Sequence, residues 1–572
     1  MVYLLHLFLA GIVSARCYEP QTAHPPPDYD PYDPILQDAF AEINTALTIA
    51  VAAPEFAAHS FSIEVTSQKE TLWSTHHTAR KRNASRPDIP EVNGDALYRI
   101  ASISKAFTVL GLLYQHEVGN VSLDETVNTY IKELGEKSVG GIPWKDITLR
   151  SLASQLSGIP REFAQGDILG SILDPSQLGL PPVSRKGLPK CDEYSENYKI
   201  PCTAADMLRA IDPKPPLFAP NQKSSYSNLA FDLLGLVLSR VTNRTFEDYI
   251  TGTIFEPLNM TTTTLSLPPD SAGVIPFEPQ YWDVDEGIQK PTGGIYSSSS
   301  DLSKFLRYIL THYNAVTHAI NWLHPVSPSR GLNSFYGMPW EILQTDRILK
   351  DSRRTVQFVT KGGGLPGYTS MIITIPDYSL GITILVAGGR QNLMARILEI
   401  VTVATVRAAE HLSIRQLNER YAGTYKSLDP ALNSTVRVEA DHRGLIISKF
   451  VSNSTDFLTS PLTKLFNADH WYAQLSPTLL YRDEKHQEGE EWRMLFAEER
   501  QESIGGIWDD FCSENIDSSM YAGMPLNEAV FWGKDKKGRF TTLELTAFRV
   551  NLTRVEEKGR DNRMDEQEML EL

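Results

Sequence analysis

The chain has 572 residues, too many for one hydrophobic core, so two or three domains are expected. Its composition, 41% hydrophobic and 22% charged, is ordinary for a soluble globular protein. The net charge of −16 excludes the basic footprint of a nucleic-acid binder and says little about a small substrate.

Residues 1–16 differ from the rest of the chain. Positions 2–13 are apolar except for His6 and Gly11, and Val13-Ser14-Ala15 offers small residues for cleavage. The pattern predicts a secretory signal peptide, too short to span a membrane, although no Lys or Arg precedes it. Two further features point to export. Seven Asn-x-Ser/Thr sequons occur, at Asn83, Asn120, Asn243, Asn259, Asn433, Asn453 and Asn551. The four cysteines are an even number, with no CxxC pair or His cluster of the kind that holds zinc. Cys191 and Cys202 lie close together in a polar stretch and are natural partners. Cys17 and Cys512 remain, a second bridge if Cys17 stays with the mature chain. No later apolar segment is long enough for a membrane anchor, so the expected location is extracellular, with no membrane partner. Nothing in the sequence sets the oligomeric state.

Residues 17–34 contain six prolines and read as an extended lead-in rather than a packed element. Ile35, Phe40, Ile43 and Leu47 then recur at helical spacing, predicting a first amphipathic helix over 35–51. Residues 61–78 alternate as paired strands, and 80–95 read as an exposed polar loop. The segment 102–116 is apolar almost all round, which predicts a helix buried on every side. Helices are also expected over 204–211 and 228–241, and core strands around glycine turns over 355–389. Beyond Glu410 the composition shifts. Short β-like runs at 436–438, 445–447, 479–481, 494–496 and 540–545 predict a separate antiparallel β domain over 415–555, after a domain spanning 35–412. The charged tail 556–572 is expected to be disordered.

Three short motifs carry chemistry. Ser102-Ile103-Ser104-Lys105 places a serine and a lysine one helical turn apart at a helix start, where free N–H groups favour a developing oxyanion. Lysine becomes a base only when its pKa falls from about 10.4, as burial brings about. A lone Ser-x-x-Lys is more often a capping serine beside a solvated lysine. Tyr226-Ser227-Asn228 precedes a predicted helix; a tyrosine held near lysines can act as general base, and Asn228 could bond both Lys105 and a substrate amide. Lys361-Gly362-Gly363-Gly364 sits on a predicted strand, where glycines let a ligand approach the backbone and the lysine can bind a carboxylate or steady a tyrosinate. Alone, each of these last two is an ordinary loop or hairpin.

As an ordered set the three resemble the serine β-lactamase and D-Ala-D-Ala-carboxypeptidase family, in its class C branch with a middle Tyr-x-Asn. The flanks match too: Tyr98-Arg99-Ile100-Ala101 before the serine, 147–152 followed by Leu156-Ser157-Gly158-Ile159-Pro160, and Gly293-Gly294-Ile295-Tyr296-Ser297 followed by Asp301-Leu302. The resemblance covers about residues 35–410, and Tyr421-Ala422-Gly423-Thr424-Tyr425 is similar to the opening of appended β domains in fungal and bacterial members. One departure is Gly362, where β-lactamases have Thr, which puts recognition of a substrate carboxylate in question.

The resemblance implies an α/β sandwich of an antiparallel sheet flanked by helices, with a helical insert holding Tyr226. It implies that Ser102 attacks an acyl carbonyl, that Lys105 and Tyr226 move the proton, and that the N–H groups of Ser102 and Gly364, on the strand with Gly363, hold the oxyanion. Asn228 and Lys361 would position a small acyl substrate and stabilise the Tyr226 phenolate. No metal or organic cofactor is called for. Hydrolysis of an ester, lactone or amide is the first expectation and acyl transfer in secondary metabolism the second. A non-catalytic binding protein on the same fold is the alternative of another class, and it would be expected to have lost the serine or a lysine.

Overall fold

Asp33 and Pro34 open helix α1 (Pro34–Ala52): the aspartate accepts the Ile35 N–H, and a proline at the first position forfeits no intrahelical bond. Its buried stripe is Leu36, Phe40, Ile43, Leu47, Ala50 and Val51, so Leu36 rather than Ile35 is the first buried side chain. The computed structural model describes residues 23–135, 140–163, 168–170, 174–184, 186, 191, 200–278, 281–312, 321–389, 393–460, 471–498 and 519–556. The signal-peptide segment, the Cys17–Cys512 bridge and the charged tail after 556 lie outside the described residues. The chain divides into two compact units. The larger is Asp28–Thr345 with Val356–Val406, and the smaller takes in the chain up to Pro27, Asp346–Thr355 and everything from Arg407.

The larger unit is built on an eight-stranded antiparallel sheet. Its strands are β1 (Ser60–Ser67), β2 (Thr71–His77), β3 (Ser327–Pro328), β4 (Ser334–Tyr336), β5 (Glu341–Thr345), β6 (Val356–Leu365), β7 (Tyr368–Ile375) and β8 (Leu380–Ala387). Across the sheet they run β2-β1-β8-β7-β6-β5-β4-β3. Further helices are α2 (Ser104–Glu117), α3 (Ala204–Ile211), α4 (Leu229–Thr242) and α5 (Ser299–His312). Alternation along β1 sends Val65 and Thr66 to opposite faces. Phe40 of α1 stacks at 5.3 Å on Trp73, the cross-strand partner of Val65. Leu306 of α5 and Thr66 instead crowd Gly381 of β8. The two helices therefore cover opposite faces, and the unit has the β-lactamase/transpeptidase-like sandwich. Helix α2 lies beyond α5, with Phe107 stacked on Phe305 at 4.1 Å, and every residue from Ser104 to Leu113 is buried.

Two sequence expectations need correction. The proline-rich lead-in is not loose: Ala23 and His24 are buried in the smaller unit, where His24 Nε2 lies 2.9 Å from Glu410 and Arg354 pairs with the same carboxylate. Prolines extend the backbone, but these side chains anchor it, as does Tyr29, which donates to the Tyr378 carbonyl in the larger unit. The 80–95 segment is a loop, yet Ile89 and Val92 are buried.

Cys191 and Cys202 form a disulfide with their Cα atoms 5.0 Å apart. The Cys202 carbonyl accepts the Ile288 N–H, so one end of the bridge is tied to the loop that carries Glu286. A closed loop of this length is worth about 2–3 kcal/mol. Replacing both cysteines by serine is expected to destabilise the larger unit by roughly that amount in denaturant unfolding; an unchanged midpoint would show that the bridge constrains nothing.

Helix α6 (Leu393–Arg420) carries the chain into the smaller unit. There an antiparallel β barrel forms from β9 (Gly423–Lys426), β10 (Thr435–Asp441), β11 (Gly444–Ser452), the two-residue β12 (Thr455–Asp456), β13 (Trp471–Asp483), β14 (Glu488–Glu498), β15 (Glu528–Lys534), β16 (Phe540–Leu545) and β17 (Val550–Val555). Apart from β12 each strand pairs with the next in sequence, and β17 returns to β9, so no edge is left open. Its interior is filled by side chains, with Tyr421 packed on Trp492, Phe531 and Phe540 at 5.0, 5.1 and 4.8 Å.

Candidate active site

Ser102 is presented by a tight turn rather than by a regular helix start. Residues Ala101–Ile103 form a short 3-10 turn that runs into α2, and Ala101 has φ 48°, in the left-handed region that a non-glycine residue rarely occupies. Several contacts hold that turn. Ile100 donates to the Ile295 carbonyl at 3.1 Å, and Ser370 Oγ of β7 donates to the Ile100 carbonyl at 2.7 Å. Arg99 is buried, with bonds to Glu286, the Tyr296 hydroxyl and the Val284 carbonyl, all at 2.7 Å. The Tyr-Arg-Ile-Ala and Gly-Gly-Ile-Tyr-Ser flanks thus form one clamp on the turn.

Strand β6 presses on the same turn. A Cβ on Gly363 would lie 2.2 Å from the Ile100 carbonyl oxygen and 2.4 Å from Ser370 Oγ, so only glycine allows this approach. At Gly364 a Cβ would meet nothing within 4 Å, which places this residue against open space. Gly363→Ala is expected to cost about 1–3 kcal/mol through overpacking. By displacing Ser102 it should also lower kcat about a hundredfold. Thermal unfolding and steady-state kinetics check the two effects, and normal kinetics would show that the close approach is not needed.

The Ser102 side chain meets a lysine with no access to water. Lys105 is 0% exposed, and its Nζ donates to Ser102 Oγ at 2.8 Å and to the Thr292 carbonyl at 2.9 Å. Tyr226 approaches from the segment before α4. Its ring centre is 5.3 Å from Lys105 Nζ and 5.3 Å from Lys361 Nζ, which sets the phenol between the two ammonium groups and close to Ser102. The Leu-Ser-Gly-Ile-Pro segment sets this position. Ser227 donates through its hydroxyl to the Pro160 carbonyl and through its N–H to Gln155, while Asn228 donates its N–H to the Arg161 carbonyl.

Burial pushes the Lys105 amine below its ordinary range, tempered by Tyr226 and reinforced by the charge of Lys361. Burial alone would raise the Tyr226 phenol, but Lys105 and Lys361 outweigh it and bring the phenol below its usual value. Burial would likewise lower Lys361, but Glu341 and Tyr226 reverse this, so Lys361 holds its proton more firmly. One cluster therefore contains a lysine eager to lose a proton, a phenol eager to lose one, and a lysine that stays charged.

Asn228 differs from expectation. No Asn228–Lys105 hydrogen bond occurs among the described residues; Lys105 bonds Ser102 and the Thr292 carbonyl. Asn228 Nδ2 donates to Glu162 Oε1 instead, leaving its Oδ1 buried without a partner. Glu162, Asp232 and Glu341 went unnoticed in the sequence. Burial pushes the carboxyls of Glu162 and Asp232 up, so neither readily supplies the negative charge that would hold a proton on Lys105. Asp232 lies four residues after Asn228, one turn along α4, and accepts from the Thr292 hydroxyl at 2.5 Å. An aspartate among apolar helix residues was the available signal for it. Glu341 bonds Lys361 Nζ at 2.8 Å and the Gly362 N–H at 3.0 Å, and it had no sequence signal because the register of β5 on β6 puts it there.

A sandwich of this topology with these three motifs gathered at one point defines a β-lactamase-like hydrolase fold, and comparison with known proteins agrees. The β-lactamase family profile matches residues 57–402, and a profile described as "Beta-lactamase-like-like, C-terminal domain" matches residues 413–556. The chain belongs to the β-lactamase family. It is 32% identical to "Probable hydrolase M10" of Phoma sp. over 92% of this chain and 89% of that protein. It is 31% identical to "Probable hydrolase clz13" of Cochliobolus lunatus over 97% and 94%. A solved class C β-lactamase aligns at 16% identity and a TM-score of 0.49, over 64% of this chain and 96% of its own.

Proposed function

We propose that this protein is a serine hydrolase that works through an acyl-enzyme on an ester, lactone or amide. The observation that carries the reading is the buried Lys105 amine 2.8 Å from Ser102 Oγ, with the Tyr226 ring centre 5.3 Å from both Lys105 Nζ and Lys361 Nζ. Ser102 Oγ bonds to the acyl carbon as its proton passes to the Tyr226–Lys105 pair, and the carbonyl π electrons move onto oxygen. The N–H groups of Ser102 and Gly364 receive that oxyanion. Its collapse breaks the bond to the leaving alcohol or amine, which takes the proton. Water then attacks the acyl-enzyme by the reverse route, losing its proton to the same pair and restoring Ser102. Asn228 positions an amide substrate, and Lys105 and Lys361 draw the Tyr226 phenol below its usual value. No cofactor enters any step.

A fluorophosphonate reacts with such a serine irrespective of the acyl group that the pocket prefers. Labelling of the folded protein followed by peptide mapping is expected to place the adduct on Ser102. Labelling elsewhere, or none alongside no ester hydrolysis, overturns the reading and favours a binding protein. Product analysis with an added alcohol separates hydrolysis from acyl transfer.

The same reading includes export. The sequon asparagines at 120, 243, 259, 433, 453 and 551 are exposed and Asn83 is half-buried, so glycans have room, and a bridge such as Cys191–Cys202 persists in an oxidising compartment.

A further inference from the structure

We infer that Glu341 fills, from within the chain, the place where a ligand carboxylate would bind beside Lys361, so that the enzyme selects acyl substrates without a carboxylate near the scissile bond. The inference rests on the serine-hydrolase reading and adds a substrate class to it.

The ammonium of Lys361 has three N–H donors and no others. One goes to Glu341 Oε1 at 2.8 Å and one to the Gly362 carbonyl at 2.8 Å, and the Tyr226 ring centre lies 5.3 Å from the same nitrogen. Lys361 is 0% exposed, so its ammonium is closed to solvent with the Glu341 carboxylate already on it. The neighbouring backbone donor is also taken, since the Gly362 N–H donates to Glu341 Oε2 at 3.0 Å. One carboxylate thus spans the lysine and the adjacent amide, as a bound ligand carboxylate would.

Glu341 is fixed in that position rather than passing through it. It follows the fully buried Trp340 and pairs across strands with Thr360, whose hydroxyl donates to the Glu341 carbonyl at 2.7 Å. The residue beside it leaves room: a Cβ on Gly362 would already lie 3.3 Å from Glu341 Oε2, so a larger side chain would press on the carboxylate. Glycine at 362 and glutamate at 341 are therefore one feature, which accounts for the departure from the Lys-Thr-Gly pattern. The Glu341 side chain is 30% exposed, so its negative charge faces whatever enters.

The other cation at the phenol is Arg161. The Arg161 guanidinium carbon is 4.8 Å from the Tyr226 ring centre, and its Nε is 3.4 Å from Glu162 Oε1. The Arg161 side chain is 61% exposed, so it is solvated rather than held as Lys361 is. At Lys361 an approaching carboxylate would meet the like charge of Glu341 in the place it would have to take, an arrangement that rejects ligands efficiently.

The test compares para-nitrophenyl esters of hexanoic, heptanoic and octanoic acids with mono-para-nitrophenyl esters of adipic, pimelic and suberic acids, matched in chain length and differing in a terminal carboxylate. For the wild-type protein kcat/KM is expected to favour the neutral ester at every length, on the order of 10–100-fold. Glu341→Gln removes the charge and should shrink that preference to within about threefold, mainly through the KM of the charged ester. Glu341→Ala should do the same, so loss of fold in one variant leaves the other, with thermal unfolding reporting on both. Equal handling of the two series by wild type, or an unchanged preference in a folded variant, overturns the inference while leaving the serine-hydrolase reading in place. No hydrolysis of either series together with no fluorophosphonate on Ser102 would instead overturn that reading, and the inference with it.

Discussion

Ser102→Ala is expected to lower turnover by about 10⁴–10⁶-fold while leaving the protein folded. The size follows from the coupling at the site. Lys105 Nζ donates to Ser102 Oγ, and the Tyr226 ring centre lies 5.3 Å from the same nitrogen, so removing the oxygen leaves the proton-moving groups nothing to act on. Folding should be spared because the turn does not depend on that oxygen. Ile100, Ser370 and Arg99 hold it through backbone and buried contacts, and Lys105 keeps the Thr292 carbonyl. Thermal unfolding beside initial rates on an activated ester reads both effects. A well-folded Ala variant that keeps more than a few per cent of the rate would remove Ser102 from the role of nucleophile.

How much of this could be read from the sequence depended on whether a contact is local. The pairing of Ser102 with Lys105 follows from a spacing of three on a helix, and their burial follows from the apolar residues around them through Leu113. Strands β1, β7 and β8 were legible from alternating or continuous apolar runs. The convergence of Tyr226 and Lys361 on Ser102 is a matter of topology, and only the family resemblance supplied it. The three carboxyls were invisible for the same reason. Glu341 reaches Lys361 through a cross-strand register, and Glu162 reaches Asn228 from the segment that cradles Tyr226.

The lead-in shows the converse failure. Composition describes backbone preference, and six prolines do favour an extended chain. Composition does not reveal that His24 finds Glu410, 386 residues away, or that Arg354 shares the same carboxylate. There His24 and Arg354 outweigh burial and hold Glu410 below the usual carboxylate range. Periodicity likewise predicted short strands after Glu410, but closure into a barrel rests on one further pairing, β9 with β17, which no local pattern announces.

Lys105→Ala and Tyr226→Phe test whether the two groups act as one. Each alone is expected to lower kcat/KM by about 10²–10⁴-fold. The double variant should be little worse than the harsher single, whereas independent groups would multiply their losses. The pH profile bears on the same question. With the phenol drawn below a free tyrosine's value near 10, the rising limb of kcat/KM should lie on the acid side of that value. In Tyr226→Phe the phenolate that raises the Lys105 amine is gone, so Lys105 should lose its proton at lower pH than before. Any residual activity should then rise earlier, with its limb displaced towards acid. The same displacement is not expected in Lys105→Ala, where one of the two cations that draw Tyr226 down has been removed and the phenol should titrate at higher pH. Opposite shifts from two variants with comparable losses would be hard to obtain from structural damage alone. Shifts in the same direction, or fully multiplicative losses, would mean that serine activation does not run through a shared proton.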